Sequence, residues 1–530
     1  MPTAVKDQLW RLIASLNKGE KRNFKLYATR AGATSSNKFI QLFDVLDRLD
    51  APDDEAVTKR LKLRPGQYSN LKRHLYQQVL TSLRLIYISK EVDIELREQI
   101  DFSHILYGKG LYLDALRGLE RAKAKAVEHS RDLLHLEILE FQKLIESRHI
   151  TLSRQVSNKM DLLLNESAER SYSVLNTSEL FNLNIQIHGR YIERGHSRSA
   201  SDVQENAAYW QEIQTRRSDR EFATDTFHQK INRFQASMWY HYIQLDFVEA
   251  LESAMNAQTL FHLSTHMRVK DPDLYLRCLY YVSILAYLTE DYRRMTRYRT
   301  IIYAFLSDGQ VVLNENSRRI GETYYGLMHL NECFAARDWA AAEAFGQELR
   351  RRQTGGDFII NDHRWGQFLY KFAATNFVRQ DYGRALDYLN EIINMKVGIL
   401  REDLLLNARL LHLLCNFELD NRALVDYHLT NFTRQMRRSR ETAQIHRAAA
   451  AALRRLIRLA PGDQSTVYQE LSTELMELAR TDPFEHKALR YLDLTEWVGL
   501  HLGPGAAPSR PSHRPAPGGL SGASPAIRPV

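Results

Sequence analysis

One short pattern recurs along this chain and constrains its fold more than any other feature. An aromatic residue is followed, usually four positions later, by Asp, at once by a second aromatic residue, and three residues further by a small or unbranched apolar residue. The copies are Tyr242/Asp246-Phe247/Ala250, Tyr287/Asp291-Tyr292/Met295, Phe334/Asp338-Trp339/Ala342, Phe377/Asp381-Tyr382/Ala385 and a looser Tyr107/Leu111-Tyr112/Ala115. We expect the first aromatic to close one helix, the Asp to accept the unpaired N–H groups that open the next, and the small residue to let the helices approach. The pattern predicts a repeated helical hairpin.

The spacing of the copies is nearly constant. The second aromatic residues of neighbouring copies lie 45, 47 and 43 residues apart, and the 135 residues between Tyr112 and Phe247 equal three such steps. A fixed period of this length indicates an array of stacked supersecondary units. We therefore expect two diverged repeats between Arg148 and Lys230. Phe417/Asp420/Ala423 resembles a sixth copy with a shortened turn.

The distribution of proline predicts an all-α chain. Seven of the 13 prolines lie at or after Pro504, and none lies between Pro65 and Pro272 or between Pro272 and Pro461. Stretches of that length without a helix breaker, rich in Leu, Ala, Arg and Glu, do not fit a turn-rich β fold.

The cysteines and the absence of a long apolar run predict a cytoplasmic protein that does not span a membrane. The chain has three cysteines, an odd number without C-x-x-C spacing, which we expect to be reduced core thiols. Its most apolar stretch, residues 404 to 415, is interrupted by Asn407 and Arg409. The first residues carry no apolar signal core.

The best copy, residues 369 to 389, resembles the tetratricopeptide repeat. Leu369, Phe372, Ala373 and Phe377 share one helical face, and the second helix opens with Asp381-Tyr382 and places Ala385 three residues later, as that family does. Three features depart from the family. The first-helix aromatic is displaced onto Phe377, the proline at the repeat end is absent, and the period of 43 to 47 exceeds the usual 34. The resemblance implies a right-handed α-solenoid of tetratricopeptide-like hairpins with longer helices.

We divide the chain into four parts. Residues 1–95 are expected to form a small, basic, helical N-terminal domain, 96–460 the repeat array, and 461–502 capping helices. Residues 503–530, with seven Pro and five Gly in 28 positions, are expected to be a disordered tail. Residues 18–27 are similar to the lysine-rich opening of a bacterial group of tetratricopeptide-like proteins, a resemblance that implies no activity.

The preferred function is that of a non-enzymatic interaction scaffold. Successive first helices of such an array form a concave groove for a peptide, a helix or a partner protein. Residues between core positions are the candidate groove contacts, although any one of them could instead solvate the surface or complete the core. They are Tyr240, Arg277, Tyr281, Tyr324, Asn331, Lys371 and Asn376.

An alternative function follows from the distribution of charge. The chain carries a net charge of +8, residues 1 to 90 contain 17 basic and 8 acidic residues, and residues 56 to 90 contain no acid. Residues 54–88 have the outline of a helix-turn-helix, which on a tetratricopeptide-like sensor body resembles bacterial peptide-sensing regulators. The candidate nucleic-acid contacts are Lys59, Arg60, Lys62, Gln67, Asn70, Lys72 and Arg73.

A second basic run offers another charged surface. It could bind RNA, phosphorylated peptides or an acidic protein. Its members are Arg434, Arg437, Arg438, Arg440, Arg447, Arg454, Arg455 and Arg458.

Signals of catalysis and ligand chemistry are thin. His262 and His266 share a helical face, but no glutamate follows the first His and no third ligand is placed by the sequence. Ser15-x-x-Lys18 and Ser69-x-x-Lys72 fit a short nucleophile pattern without its partner motifs. We find no phosphate-cradling glycine loop. The sequence therefore predicts no catalytic residue, no cofactor and no metal.

Overall fold

The computed structural model describes residues 8–30, 36–149, 158–215, 226–395 and 401–502. Within these ranges all regular structure is helical, which confirms the all-α prediction. The predicted disordered tail, residues 503–530, lies outside the described residues. The α-helices are α1 Gln8–Ser15, α2 Lys18–Arg30, α3 Ser36–Leu46, α4 Asp54–Leu61, α5 Pro65–Tyr87, α6 Val92–Gly108, α7 Tyr112–Glu128, α8 Asp132–His149, α9 Lys159–Arg194, α10 Ala200–Thr215, α11 Phe227–Ile243, α12 Phe247–Leu263, α13 Met267–Lys270, α14 Pro272–Leu288, α15 Tyr292–Ser307, α16 Glu315–Ala336, α17 Trp339–Thr354, α18 Asp362–Val378, α19 Tyr382–Ile393, α20 Glu402–Glu418, α21 Arg422–Met436, α22 Gln444–Leu456, α23 Ser465–Thr481, α24 Pro483–Tyr491 and α25 Leu494–Leu502.

The chain divides into two compact units, Met1–Leu175 and Asn176–Val530, and the division falls inside α9. Each unit has its own buried apolar clusters. The predicted boundaries at residues 95, 460 and 502 stay a prediction.

In the first unit, α1 to α5 share one core that includes Leu9, Ile13, Phe43 and Leu75. A reciprocal cap joins α1 to α2. The N–H of Glu20 donates to the side chain of Asn17 over 3.0 Å, and the N–H of Asn17 donates to the Glu20 carboxylate over 2.9 Å. Such a box satisfies two N–H groups that would otherwise lack partners at the helix start.

A separate core joins α6, α7 and α8 in the same unit. The looser copy of the repeated pattern forms the turn between α6 and α7. The rings of Tyr107 and Tyr112 lie 5.6 Å apart, and Ala115 is fully buried. Gly110 adopts a left-handed conformation with φ of 77°, and Leu111 provides no side-chain cap. Glycine therefore performs here the chain reversal that other residues perform in the later copies.

The four clear copies form the predicted turns in the second unit. In each, the Asp carboxylate accepts the backbone N–H three residues later, over 3.2 Å in Asp246, 3.0 Å in Asp291, 2.9 Å in Asp338 and 3.1 Å in Asp381. The Asp therefore caps the second helix of every hairpin, as the pattern predicts.

The same Asp also ends the first helix of each hairpin. Its backbone N–H donates to the carbonyl five residues earlier, and the residue directly before the Asp has a left-handed backbone conformation. This is the Schellman arrangement, in which glycine normally occupies the left-handed position. The four left-handed residues, with φ of 56° to 64°, are Leu245, Glu290, Arg337 and Gln380.

The small residue of the pattern lies where the paired helices meet. Ala250, Ala342 and Ala385 are fully buried, and Met295 is 1% exposed. A larger side chain at these positions would force the helices apart.

The sixth copy differs from the prediction. Its turn has the same length as the others, because Asp420 is the left-handed residue, with φ of 57°, and Asn421 is the residue immediately before α21. Asn421 lies four positions after Phe417, as the Asp does elsewhere. Val425 is buried at the helix contact, whereas Ala423 is exposed.

The region between α7 and α11 also differs from the prediction. Two further hairpins need four helices, whereas the described residues there form three, α8, α9 and α10. The helix α9 runs for 36 residues without interruption. In the described part of this region, one long helix thus stands where the spacing predicts a helix pair.

Successive hairpins of the second unit pack in order along the chain. The first helices contact one another in the series α14, α16, α18, α20 and α22, and each second helix lies between neighbours of that series. This arrangement is compatible with a helical-repeat solenoid.

The C-terminal helices contact turns that are distant in sequence. The helices α24 and α25 are separated at Leu492–Asp493, and Asp482 caps α24 by accepting the N–H of Phe484 over 2.8 Å. Arg490 donates to the hydroxyl of Tyr292 over 3.1 Å, beside the α14–α15 turn. Trp497 donates to Glu418 at the end of α20 over 2.6 Å. These helices therefore lie along several hairpins.

Candidate functional site

A cavity of about 870 Å³ opens along the first helices of the second unit. Aromatic residues from α11, α14 and α16 form much of its wall, among them Trp239, Tyr281, Tyr287 and Phe334. The 3.6-residue period of each helix brings them to one face. A concave, mostly apolar surface with a few polar groups is the usual form of a binding site.

Lys371 of α18 provides a cation in this wall. Its ammonium lies 4.4 Å from the ring centroid of Phe334 and 5.9 Å from that of Tyr287. The side chain is deep in the unit but is partly exposed to the cavity. Desolvation lowers the pKa of Lys371 to about 8, and the nearby Cys333 opposes that shift.

A stack of rings and guanidinium groups adjoins Lys371. The rings of Tyr280 and Tyr324 are nearly parallel, with centroids 4.4 Å apart, and the guanidinium of Arg364 lies within 5.7 Å of both. Arg277 hydrogen-bonds Tyr324. Burial raises the pKa of Tyr324, so its hydroxyl stays neutral and able to donate at physiological pH.

Charged groups form one rim of the cavity. Arg401, immediately before α20, makes a two-pronged ion pair with Asp403, with N–O distances of 2.9 and 2.5 Å. Asp403 is 7% exposed, and despite the opposing effect of burial, Arg401 and Lys487 lower the pKa of its carboxyl. Burial lowers the pKa of Lys487 to about 8, against the favourable charges of Asp403 and Glu441.

Three further buried polar groups support this rim. Glu485 of α24 accepts the first two backbone N–H groups of α22, from Gln444 over 2.7 Å and Ile445 over 2.9 Å. His446 accepts at Nδ1 from the N–H of Ala443, so its Nε2 donates to Asn407 over 3.1 Å. Burial lowers the pKa of His446 to about 4, which keeps this ring neutral.

The loop between α9 and α10 meets the same rim. The guanidinium of Arg198 donates to the carbonyls of Arg440 and Thr442 and lies 4.1 Å from the ring centroid of Phe484. Gly195 is left-handed, with φ of 72°, and a Cβ at this position would overlap the carboxylate of Glu441. Glycine therefore suits both the left-handed backbone here and the close approach of the loop to Glu441.

The structure brings some of the predicted groove residues together. Tyr281, Asn331 and Lys371 line the cavity, and Arg277 and Tyr324 lie in the adjoining stack.

Two other predicted groove residues lie elsewhere. Tyr240 stacks on Trp210 with centroids 4.9 Å apart. Asn376 is 1% exposed and donates to Glu343 over 2.7 Å and to the carbonyl of Phe372 over 2.8 Å. The amide of Asn376 therefore hydrogen-bonds within the core and does not face a groove.

The predicted nucleic-acid contacts lie on α4, α5 and the turn between them. Lys59, Arg60, Lys62, Gln67, Asn70 and Arg73 are exposed, and Lys72 is half-buried.

Several of these groups have local partners. Lys72 pairs with Asp54 over 2.8 Å and lies 5.4 Å from the ring centroid of Tyr68. Gln67 accepts the backbone N–H of Arg64 over 3.3 Å, and Asn70 accepts from Arg73 over 3.3 Å.

The second basic run is divided by the fold. Arg438 and Arg440 line the cavity, whereas Arg455 pairs with Glu470 over 2.5 Å and Arg454 donates to Thr433 over 3.1 Å. These arginines therefore belong to more than one local surface.

The imidazole of His262 hydrogen-bonds an amide and a guanidinium from nearby positions, and neither of these groups is a usual metal ligand. It lies 3.0 Å from the amide of Gln258 and 2.9 Å from the guanidinium of Arg268. Across the described ranges, no cluster of three or more His, Cys, Asp or Glu residues is arranged to hold a metal. None of the helices in those ranges is long and apolar enough to cross a bilayer.

Sequence reasoning missed Asp403, Glu441, Lys487 and Arg198. A partial signal exists, because Asp403 directly precedes the most apolar stretch of the chain. A charge at the start of a buried helix is often held by a partner. Arg401, the direct partner of Asp403, lies two positions away, but Lys487 lies 84 positions away, and the local pattern does not encode that contact.

Comparison with family models, curated proteins and solved structures gives no match for this chain.

Proposed function

We propose that this chain is a tetratricopeptide-like, right-handed α-solenoid that acts in the cytoplasm as a non-enzymatic scaffold and binds a partner peptide in its inner cavity. The observation that supports this most directly is the aromatic cavity on the first-helix face. Its volume of about 870 Å³ suits a short peptide segment.

The chemistry of the lining favours binding over catalysis. Burial raises the pKa of Tyr281, and burial raises the pKa of the adjacent Cys333 thiol to about 11, so neither is an activated nucleophile near neutral pH. Rigid aromatic side chains provide contact area at low cost in conformational entropy. The three buried, free cysteines are consistent with a reducing compartment.

A random-peptide display library selected on the full-length protein tests the proposal. Selected peptides should lose about tenfold or more in affinity for Gln367→Trp, because an indole would occupy the cavity beside Arg364. Val248→Trp on the outer surface, where Val248 is 68% exposed, is the matched control and should leave affinity unchanged. If no peptide depends on Gln367, or if both variants bind equally, the proposed groove is wrong.

The alternative is a nucleic-acid-binding regulator that uses α4 and α5. It is favoured by the exposure of Lys59, Arg60 and Lys62 in a stretch without acids. The full-length protein should then shift a duplex at low salt, and Lys59→Glu with Arg60→Glu should abolish the shift. A shift that persists in this double variant would rule out contacts by these residues.

A further inference from the structure

Lys371 is the starting point for a more specific inference about the cavity. Its backbone belongs to α18, and Arg364 lies seven residues earlier on the same helical face. The ammonium contacts the faces of Phe334 and Tyr287. Ring faces attract a cation but do not neutralise it.

Among the described residues, no carboxylate pairs with this ammonium. Asp403 is paired with Arg401, and Glu402 accepts from Ser439 over 2.8 Å. Within the described part of the chain, the cavity therefore holds a desolvated cation without a countercharge. Placing an anion there would recover electrostatic energy that desolvation has cost.

The lining contains more cations than carboxylates, although Arg194 and Arg490 pair with Glu205 and Glu290 outside it. The carboxylates are Glu193, Glu402, Asp403 and Glu441, whereas the cations are Arg194, Arg364, Lys371, Arg401, Arg438, Arg440 and Arg490. A cationic cleft with low-dielectric walls concentrates anions.

We propose that the cavity recognises an anion, and that Lys371 pairs with a carboxylate of a peptide segment whose neighbouring side chains are aromatic or apolar. This inference rests on the proposed function for the nature of the ligand. The aromatic wall accommodates the apolar neighbours, and the desolvated ammonium of Lys371 fixes the position of the acid.

The titration of Lys371 gives the inference a pH signature. With a pKa of about 8 instead of 10.5, the ammonium is charged below about pH 8 and neutral above it, so anion affinity should fall as the pH rises through 8. The groups that face it are Cys333 from α16 and Tyr287 from α14, with Arg364 on α18 and Asp403 on α20 further along the wall. Cys333, with a pKa of about 11, stays neutral across that step.

Two fluorescent probes that differ by one anionic group test the proposal on the full-length protein. The anionic probe is 8-anilinonaphthalene-1-sulfonate, whose sulfonate stands in for the carboxylate, and the neutral probe is N-phenyl-1-naphthylamine. In Lys371→Met, affinity for the anionic probe should fall about tenfold or more, and affinity for the neutral probe should change less than about twofold. Arg379→Met removes an exposed cation at the end of the same helix and should change neither affinity.

A second variant keeps the charge and removes the titration. Lys371→Arg should bind the anionic probe within a few fold of the native protein, but without the decline between about pH 7 and about pH 9.5, because arginine stays charged. This measurement also decides the question if Lys371→Met fails to fold. Gln367→Trp should weaken both probes and so locate them in the cavity.

Each outcome bears on the inference. Equal affinity of Lys371→Met and the native protein for the sulfonate, equal loss of both probes, no binding of the sulfonate at all, or the same pH profile in Lys371→Arg would each overturn it. If the probes behave as expected but no peptide is selected by the display library, the anion site stands and the peptide function fails. If peptides depend on Gln367 but lack an acid that requires Lys371, the scaffold function stands and the anion inference fails.

Discussion

Two cation-rich regions of this chain differ in what surrounds their charges. On α4, α5 and the turn between them, Lys59, Arg60 and Lys62 are exposed, and Lys72 has a carboxylate partner 2.8 Å away. In the cavity of the second unit, Lys371 is held against ring faces without such a partner among the described residues. The first region is the more obvious in the sequence, because it contains no acid for 35 positions.

From this difference we expect that burial, and not the local density of charge, determines how strongly a cation attracts an anion. An exposed charge is already stabilised by water and screened by salt, so an added partner changes its free energy little. A buried charge lacks this stabilisation, so a new partner changes both its free energy and its pKa. The following predictions test this contrast in order of expected effect.

The largest effect is expected where buried charges are already paired. Asp403→Asn should destabilise the protein by about 3 to 5 kcal/mol, because Arg401 and Lys487 would keep their charges without the carboxylate. The free energy of unfolding from urea titration at neutral pH measures it. A loss below about 1 kcal/mol would mean that the Arg401–Asp403 pair contributes no more than a surface ion pair, and burial would then not distinguish the two regions.

A smaller effect of opposite sign is expected at Lys371. Lys371→Met should stabilise the free protein by about 1 to 3 kcal/mol near pH 7, since it removes an uncompensated charge but keeps the apolar stem. The native pKa lies below the unfolded one, so the native protein becomes more stable as the pH rises from about 8 to about 10.5 and the advantage of the variant declines. Urea titrations of both proteins at several pH values test this, and a gain that is constant with pH would contradict it.

An intermediate case is the half-exposed Asp of the hairpin turn. Asp381→Ala should cost about 1 kcal/mol, because the N–H of Arg384 loses its acceptor. Its partner in the motif provides the contrast, since Ala385→Leu should cost about 1 to 3 kcal/mol by overpacking a fully buried helix contact. Thermal unfolding of both variants measures the pair. Negligible losses in both would count against the hairpin assignment.

The smallest effect is expected on the basic surface. Lys72→Met should cost no more than about 1 kcal/mol, and the cost should shrink in high salt, because the partner Asp54 is 55% exposed. Unfolding at low and high ionic strength tests this. A large loss of stability that is independent of salt would show that Lys72 is desolvated, as Lys371 is, and would contradict the difference between the two regions.

The turns show how far local sequence predicts structure. Asp246, Asp291, Asp338 and Asp381 cap the helices that the pattern assigns to them, because donor and acceptor are only three residues apart. The sixth turn was misassigned by one residue. The pattern assigns the position before the second helix to Asp, whereas here Asp420 takes the left-handed position and Asn421 immediately precedes α21.

The cavity was predictable only in part. Helical periodicity placed Tyr281, Asn331 and Lys371 on the face that lines it. The same reasoning selected Asn376, which the neighbouring helix α17 covers and bonds through Glu343. Whether a polar residue of a first helix meets the cavity or the next helix depends on the rotation of each helix in its stack.

The sequence by itself determined the all-α class, the repeated hairpin turns and the residues that cap them, because these depend on hydrogen bonds within about five residues and on a helical period. Only the tertiary structure decided that Lys371 meets ring faces and no carboxylate among the residues that the structure describes, and that α24 reaches Tyr292, 198 residues away from Arg490. It also decided that the loop at Gly195 fits against Glu441. Burial and pairing of charge are properties of segments distant in sequence, and they exist only once the helices have packed.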